Sequence, residues 1–263
     1  MMILRRMAGT LLSIGVSLAL ILGTWQGFIG YLSVNPLVAR SPADVWAYLF
    51  TSEEASAHRG LVWGGLRITL SDAGVGLVAG MVAAAVVAIV FVLSSTVEQA
   101  FLPVAMIVRS VPLIAMTPVL TLVFGRALLA TTVICGIVVF FPALVNIVSG
   151  LRSASPQVAD LVRAYGGSTW TTMRKVMIPS ALPSFFTAAR ISAPAAIVGA
   201  LLAEWLATGK GIGYQMLVDV TTFESDDLWA SVVVVTLASL LIYSLINVLE
   251  GFVLARFGPV PDR

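Results

Sequence analysis

Three charged side chains interrupt stretches of sequence that are otherwise almost wholly apolar: Arg109, Arg190 and Glu204. A charge near the centre of a bilayer costs about 2.5–3.5 kcal/mol on insertion scales, so such residues are functional candidates. The guanidinium of Arg109 could attract a sulfonate or carboxylate, extend to the inner interface, or pair with an acid. Arg190 is interpreted as an interfacial or loop-packing residue. Glu204 could line an external gate or cap a neighbouring helix, and the sequence leaves both alternatives open.

Two prolines follow Arg109 in the same apolar stretch. Pro112 and Pro118 are expected to bend the helix and to free backbone carbonyls, which a membrane tolerates only beside protein or a water-filled cavity. The neighbouring side chains are therefore candidates for lining a path, although a kink that serves packing alone explains each of them equally well. The candidates for such a path are Arg109, Ser110, Val111, Pro112, Met116, Thr117 and Glu204.

The residue types give little support to other chemistry. A membrane-embedded enzyme would need a cluster such as paired histidines or a nucleophile with its base, and His58 is the single histidine. His58 has no second ligand nearby in the sequence, so we expect no metal site and no catalytic residue. Cys135 is the single cysteine. It can form no disulfide within the chain and is interpreted as a small packing residue.

The elements that position these side chains are predicted to be membrane-spanning helices. The chain has 263 residues, of which 59% are hydrophobic and 11% charged, and its mean hydropathy is +1.02. Soluble domains carry about 25% charged residues. A chain this poor in charge needs lipid to cover much of its surface, and its net charge of +2 gives no indication of a nucleic acid partner.

Six stretches are predicted to span the membrane, because a helix needs roughly 20 mostly apolar residues to cross about 30 Å of hydrocarbon. The first stretch follows two arginines but shows no evident cleavage site, so it is predicted to be a retained span. The second carries Gly76 and Gly80 at the spacing typical of close helix packing. The fifth is interrupted by Arg190, Pro194 and Glu204. The predicted spans are 9–32, 70–93, 101–124, 127–150, 184–206 and 229–253.

The distribution of Lys and Arg favours both termini on the cytoplasmic side. The predicted fold class is an all-α integral membrane protein with about six transmembrane helices, N-in and C-in, as a single transmembrane domain over residues 1–263. Outside the membrane, Ser41-Pro42-Ala43-Asp44 is a start signal for a short interfacial helix. The basic residues assigned to the cytoplasm are Arg5, Arg6, Arg152, Arg163, Arg174, Lys175, Arg256 and Arg263.

The longest cytoplasmic segment, 151–183, is predicted to form two short helices. The first begins after Pro156 and ends at Gly166-Gly167, a favourable helix stop. The second begins at Ser168, which is a helix-capping residue type, and is expected to end before Pro179. Leu161, Val162 and Tyr165 share one face of the first helix. An exposed apolar face on such a loop is typical of a docking surface.

This segment resembles the Glu-Ala-Ala loop in the permease subunits of binding-protein-dependent ABC importers. That pattern is Glu-Ala-Ala, three residues, Gly, nine residues, Ile, one residue, Leu-Pro. The chain keeps the spacing, with Asp for Glu, Leu-Val for Ala-Ala, Val for Ile and Ile for Leu. The ATPase-coupling residues that the resemblance implies are Asp160, Leu161, Val162, Arg163, Ala164, Tyr165, Gly166, Val176, Ile178 and Pro179.

Two further stretches resemble the nitrate/taurine/aliphatic-sulfonate type of importer permease. One begins at Arg109-Ser-Val-Pro112 and ends at Phe124-Gly125, and the other is Ala203-Glu204-Trp205 followed by Gly209-Lys-Gly211-Ile-Gly213-Tyr214. The resemblance covers roughly residues 65–253. It implies a type I ABC importer permease fold in the bacterial cytoplasmic (inner) membrane.

The resemblance also implies a division of labour. Two copies of the permease form a homodimer, two cytosolic ABC ATPase subunits drive alternating access, and an extracytoplasmic binding protein delivers the solute. The chain has no G-x-x-x-x-G-K-[ST] phosphate loop, so we expect ATP hydrolysis in the separate subunit. No cofactor is expected on this chain, and ATP with Mg is expected in the partner ATPase. The favoured solute is a small organic anion such as a sulfonate or taurine, or nitrate, while pyrimidine precursors, flavins and aromatic acids stay open.

The main alternative is an ion-gradient-driven secondary transporter or channel. Such a protein is expected to carry recurrent intramembrane acids and often an internal repeat, and the sequence shows neither. An ABC exporter is disfavoured by its different contact with the ATPase, an argument that depends on the family resemblance alone.

Overall fold

The structure is a computed structural model that describes residues 2–32, 35, 38–126 and 128–257, with side chains described in 15–31, 35, 38–126 and 128–256. The described residues form twelve α-helices, and three single π-helical turns lie at Ala47–Thr51, Met173–Met177 and Glu204–Thr208. In chain order, the helices are α1 Met2–Leu32, α2 Pro42–Trp46, α3 Ala55–Leu93, α4 Ser95–Ser110, α5 Leu113–Phe124, α6 Leu128–Arg152, α7 Pro156–Ala164, α8 Thr169–Thr172, α9 Ile178–Ser180, α10 Leu182–Ala203, α11 Gly211–Thr222 and α12 Ser225–Phe257.

An apolar helix lies at each predicted span. Four helical segments are long and apolar enough to cross a membrane by themselves: α3, α6, α12, and α10 with the turn that extends it to Thr208. Helices α4 and α5 pass the same test together as one broken span. Helix α1 covers the first predicted span, and its described apolar part is Gly15–Tyr31. The all-helical membrane fold is therefore confirmed.

The structure corrects the bounds of two predicted spans. The third, predicted at 101–124, begins earlier, at Ser95. It is also two helices and not one, because α4 and α5 are bent by 102° relative to each other at residues 111 and 112. Pro112 removes a backbone donor and disfavours helical torsions at Val111, whose ψ is 125°. The second span begins at Ala55 rather than at residue 70.

The contacts divide the chain into two compact units, so the assignment of one domain to residues 1–263 stays a prediction. The first unit comprises 1–64 and 215–234. In it, the Ser41 hydroxyl accepts a hydrogen bond from the Asp44 amide at 3.2 Å, and the Ser41 amide donates to the Asp44 carboxylate at 2.8 Å. This capping box starts α2 where the sequence predicted a helix.

The second unit comprises 65–214 and 235–263, and α6 lies in its core. Helix α3 runs parallel to α6 at very short range. A Cβ atom on Gly76 would lie 2.1 Å from the Cβ of Cys135, and one on Gly80 would lie 2.7 Å from the Cβ of Val139. The predicted glycine packing pair is thus a real contact, and Cys135 is a fully buried packing residue.

Helix α10 packs antiparallel against the same helix. A Cβ on Gly199 would lie 3.1 Å from the Cα of Cys135, and one on Gly150 would lie 2.5 Å from the Cβ of Ser184. These two contacts are 15 residues apart on each helix, or about 22 Å at 1.5 Å per residue. The directions of α3, α6 and α10 agree with their places as second, fourth and fifth spans.

Candidate functional site

The break between α4 and α5 places the predicted path residues beside a cavity. Helix α4 ends at Ser110 and α5 begins at Leu113. Pro112 occupies the position that precedes α5 and supplies no side-chain cap to its first amides. The first amides of a helix carry partial positive charge and have no partner within the helix itself. A broken span therefore offers polar backbone inside an apolar segment.

The cavity has a volume of about 340 Å³. Five predicted path residues line it together: Arg109, Ser110, Val111, Pro112 and Met116. Helix α6 forms the opposite wall. The Ser110 hydroxyl donates to the carbonyl of Met106 at 2.8 Å, so it satisfies a backbone acceptor in the last turn of α4. The structure brings these five residues to one place.

Arg109 is exposed at the last turn of α4. Among the side chains that the structure describes, no carboxylate lies within ion-pair distance of its guanidinium. Glu98, in the first turn of α4, lies about 16 Å along the helix from Arg109. Glu98 pairs instead with Arg152, the last residue of α6. Of the three alternatives for Arg109, pairing with an acid is not observed in the described part of the chain.

A second, apolar cavity of about 390 Å³ adjoins the first and shares Val108, Ile137 and Phe141 with it. Its walls come from α3, α4 and α6 and include Phe101 and Phe140. The two cavities together present a cationic polar end and an apolar body. An apolar cavity with a few convergent polar groups is the usual form of a small-molecule site.

Two predicted path residues lie elsewhere. Thr117 is fully buried, and its hydroxyl donates to the carbonyl of Leu113 at 2.9 Å. Glu204 is also fully buried, and its carboxylate accepts hydrogen bonds from the Thr69 hydroxyl and the Gly213 amide. The capping contact proposed as one alternative for Glu204 is therefore present, at the start of α11. Neither residue lines the cavity at the break.

The cytoplasmic segment forms the predicted helix–turn–helix. Helix α7 begins at Pro156 and ends in a Schellman motif: Gly166 has φ of 79° and donates to the Arg163 carbonyl, while Gly167 donates to the Val162 carbonyl. Ser168 caps α8 by accepting from the Thr171 amide at 3.2 Å.

One prediction for this segment is wrong. The second helical stretch does not end before Pro179 but continues through a π-helical turn into α9, which reaches Ser180. Pro179 lies in the first turn of α9, where a helix needs no amide donor. The chain thus stays helical from Thr169 almost to the start of α10.

The segment has a buried face and an exposed face. Met173 is fully buried, and Ala159 and Val176 are at least nine-tenths buried. On the other side, Leu161 is 57% exposed and Tyr165 is 86% exposed. These two apolar side chains lie four residues apart, at α7 and its C-terminal cap, whereas Val162, the third member of the predicted apolar face, is half-buried. We call the residues Asp160 to Tyr165 the docking face.

The remaining singled-out residues have structural partners. Arg190 pairs with Glu250 at 3.0 Å and donates to the Asn247 side chain at 2.7 Å, so it joins α10 to α12. His58 stacks on Tyr48, with ring centroids 3.9 Å apart. The described residues contain no group of three or more His, Cys, Asp or Glu side chains that could hold a metal ion.

Sequence reasoning missed the partners of the buried acid and of Arg190. Thr69 carries no motif, and nothing in its neighbourhood indicates a contact with Glu204. The spacing Glu204-x6-Gly211-x-Gly213 was a usable signal, because two glycines at a helix start leave room for an acid. Glu250 lies one helical turn from the C-terminal end of an apolar span and gave no comparable signal.

A broken apolar span and close glycine-mediated packing between long apolar helices are features of a multi-pass membrane protein. The chain belongs to the family of binding-protein-dependent transport system inner membrane components, whose pattern matches residues 76–258. It is thus the membrane-spanning permease subunit of an ABC importer, located in the inner membrane.

Individual relatives agree with this assignment. The chain is 30% identical over 189 residues to the formylaminopyrimidine transport permease protein ThiX of Halalkalibacterium halodurans, covering 72% of this chain and 76% of that one. It is 24% identical to the taurine transport system permease protein TauC of Escherichia coli, covering 88% and 84%. The predicted resemblance to the nitrate/taurine/aliphatic-sulfonate type is confirmed.

The fold is also that of a solved ABC importer. An inward-facing structure of the MetNI methionine ABC transporter covers 77% of this chain and 99% of its own chain, with a TM-score of 0.63 and 19% sequence identity. At this identity the likeness shows the fold alone. It confirms the type I importer permease fold, and family membership favours the ATP-driven class over an ion-gradient-driven transporter.

Proposed function

We propose that this chain forms, with a second copy of itself, the translocation path for a small organic anion at the break between α4 and α5. The observation that carries this proposal is Arg109, an exposed guanidinium without a described acidic partner that lines the cavity with Ser110, Pro112 and Met116. Charge-assisted hydrogen bonds make arginine the preferred partner for carboxylate, sulfonate or phosphate oxygens.

The apolar cavity beside the break supports an organic rather than an inorganic anion. A small inorganic anion would use the guanidinium but leave the apolar body empty. A solute with an apolar portion would occupy both parts, with its charged end towards Arg109. The names of the relatives given above refer to different solutes, so only Arg109 supports a negative charge on the solute.

The docking face supports coupling to a separate ATPase. Leu161 and Tyr165 project apolar surface from a rigid, capped helix on the side assigned to the cytoplasm. In this proposal, each permease copy inserts α7 into one of two cytosolic ABC ATPase subunits, which bind ATP and Mg. Closure of the ATPase pair then moves the permease pair between inward-open and outward-open states, and a binding protein supplies the solute from outside.

The test is ATP-dependent uptake into vesicles that contain the complete complex, with labelled taurine, an alkanesulfonate, nitrate and a neutral alcohol as probes. Arg109→Ala is expected to lower uptake of the organic anion by about tenfold or more, since it removes a charge-assisted contact. Arg109→Lys should retain part of the uptake because it keeps the charge. The matched control is Arg126→Ala, which removes an exposed arginine outside the cavity. Undiminished uptake by Arg109→Ala in an assembled complex contradicts the proposal.

A further inference from the structure

The turn between α10 and α11 is built around a buried acid. Glu204 has 0% exposure, and it opens the π-helical turn that ends at Gly209, which has φ of 64°. Gly211 has φ of 86° and starts α11. Left-handed torsions at Gly209 and Gly211 reverse the chain, so α11 begins beside the carboxylate that precedes it by seven residues.

The carboxylate of Glu204 and the hydroxyl of Thr69 together cap α11. One oxygen of Glu204 accepts from the Gly213 amide at 2.7 Å and from the Thr69 hydroxyl at 3.0 Å. The Thr69 hydroxyl oxygen accepts in turn from the Ile212 amide at 3.1 Å. Two orphan amides of the first turn of α11 are thus satisfied by side chains from the turn that follows α10 and from α3. A negative charge at this end of a helix is also favoured by the helix dipole.

The two glycines leave the space that this cap needs. A Cβ on Gly211 would lie 2.2 Å from one oxygen of Glu204, and a Cβ on Gly213 would lie 2.8 Å from the other. Any other residue at position 211 would displace the carboxylate, and one at position 213 would meet both the carboxylate and the Leu201 carbonyl oxygen, 2.9 Å away. The sequence of this turn is therefore shaped to hold Glu204, and not only to reverse the chain.

The contact joins three elements that are distant in sequence. Thr69 is on α3, Glu204 follows α10, and Ile212 and Gly213 begin α11. Asp72 lies one turn after Thr69 and close enough to Glu204 to interact with its charge. Lys210 in turn lies close enough to Asp72 to interact with its charge, and the second oxygen of Glu204 has no hydrogen-bond partner among the described residues. The Gly213 amide and the Thr69 hydroxyl are the donors that hold this carboxylate.

We infer that Glu204 and Thr69 are positioning residues for transport, which act through α11 by fixing its first turn to α3 and do not contact the solute. The inference rests on the proposed function, since it assigns to α11 a required position on the outer side of the importer. It predicts that a variant with a loosened α11 still assembles with its ATPase. Such a variant translocates the solute slowly and keeps its solute preference.

The test combines local hydrogen exchange in residues 211–222 with the maximal rate of ATP-dependent uptake, both measured on the complete complex. Thr69→Val removes the hydroxyl at nearly constant shape, and Gly213→Ala places a methyl group against the carboxylate. Each is expected to speed exchange of the first amides of α11 about tenfold, and to lower maximal uptake without changing the half-saturating solute concentration. Glu204→Gln keeps an oxygen acceptor and should preserve both quantities better than Glu204→Ala.

Two controls make the outcome specific. Leu206→Ala changes an exposed side chain in the same turn, and Gly74→Ala adds a methyl group where no atom lies within 4 Å. Unchanged exchange in Thr69→Val and Gly213→Ala overturns the cap. Faster exchange with normal uptake, or an altered solute preference, overturns the positioning role. A wild-type complex without ATP-dependent uptake contradicts the proposed function instead, while the exchange data still test the cap.

Discussion

The docking segment at 156–180 exposes apolar side chains, whereas the turn after α10 buries a carboxylate. Tyr165 is 86% exposed, and Glu204 is 0% exposed. Each arrangement is unfavourable when considered in isolation: an apolar ring in water loses the benefit of burial, and a buried charge loses its hydration. Both turns nevertheless have well-formed helix caps, so neither is a loosely held loop.

The difference shows where each turn finds its partner. Glu204 finds its donors inside the chain, at Thr69 and Gly213. Tyr165 and Leu161 have exposed surface that the chain itself does not cover. The buried acid has its donors within one subunit, while the exposed apolar face is the surface that we propose to contact a second protein.

The largest effect on stability is expected when an apolar residue on the buried face of the docking segment is replaced by an acid. Met173, in the π-helical turn that follows α8, is fully buried. Met173→Asp forces a carboxylate into an apolar site and should lower the free energy of unfolding by about 3 kcal/mol or more. Tyr165→Asp, on the exposed face, should change it by less than about 0.5 kcal/mol. Thermal unfolding of the purified subunit measures both, and equal effects would contradict the assignment of faces.

Close packing in the spans gives the next largest expected effect. Gly76→Ala would place a methyl carbon 2.1 Å from the Cβ of Cys135, so α3 and α6 must separate. We expect a loss of about 1–3 kcal/mol in the free energy of unfolding. Gly74→Ala, two residues away with no neighbouring atom within 4 Å, is the matched control. If both variants unfold at the same temperature, the α3–α6 contact is wrong.

Asp219 is a second buried acid, but one oxygen of its carboxylate has no hydrogen-bond partner among the described residues. Burial, and then the charges of Asp227 and Glu224, raise the pKa of Asp219 from 3.8 to about 6. A raised pKa means that the folded protein holds this proton more tightly than the unfolded chain does. Its contribution to stability is therefore full below pH 3.8 and is lost as the pH rises through about 6.

Asp219→Asn tests that contrast between a capped acid and an uncapped one. The wild-type unfolding temperature should fall as the pH rises through about 6, and the variant should show a flatter profile over the same interval. Asp226→Asn, which alters a more exposed acid paired with Arg40, serves as the comparison. Superimposable pH profiles for wild type and Asp219→Asn would contradict the raised pKa.

The smallest effect is expected at the exposed charge pair of α7. Asp160 and Arg163 lie 3.2 Å apart with their side chains 72% and 57% exposed. Solvent and salt screen such pairs, so Asp160→Ala should alter the free energy of unfolding by less than about 0.5 kcal/mol. A loss above about 1 kcal/mol in thermal unfolding would show that Asp160 contributes to the fold and not only to the exposed face.

The spans were predictable because a membrane-crossing helix is recognised by the length and apolar composition of its sequence. The ends of α7 were equally legible, since Pro156, Gly166 and Ser168 each have a specific backbone role. The bend at Pro112 followed from the missing amide donor. Its size of 102° did not follow, because torsions on both sides of a proline depend on what surrounds them.

Contacts between distant elements were beyond the sequence. Glu204 could be singled out as a buried acid, and helix capping was one of two alternatives for it, but Thr69 was not identified as its partner. The same holds for Arg190, whose partner Glu250 lies 60 positions away. Such pairs depend on how helices are rotated against one another, and an apolar span has little periodic signal to fix that rotation.

The most direct test of the central claim is affinity purification of this chain from its native membrane, with every co-purifying protein identified and its stoichiometry counted. A permease subunit of an ABC importer should bring down a phosphate-loop ATPase in a two-to-two complex. The complex should be lost in the double variant Leu161→Ala, Tyr165→Ala, whose docking face is removed while the buried face of the segment is kept. Recovery of the chain alone, or only with itself, under conditions that preserve other ABC complexes would contradict the account.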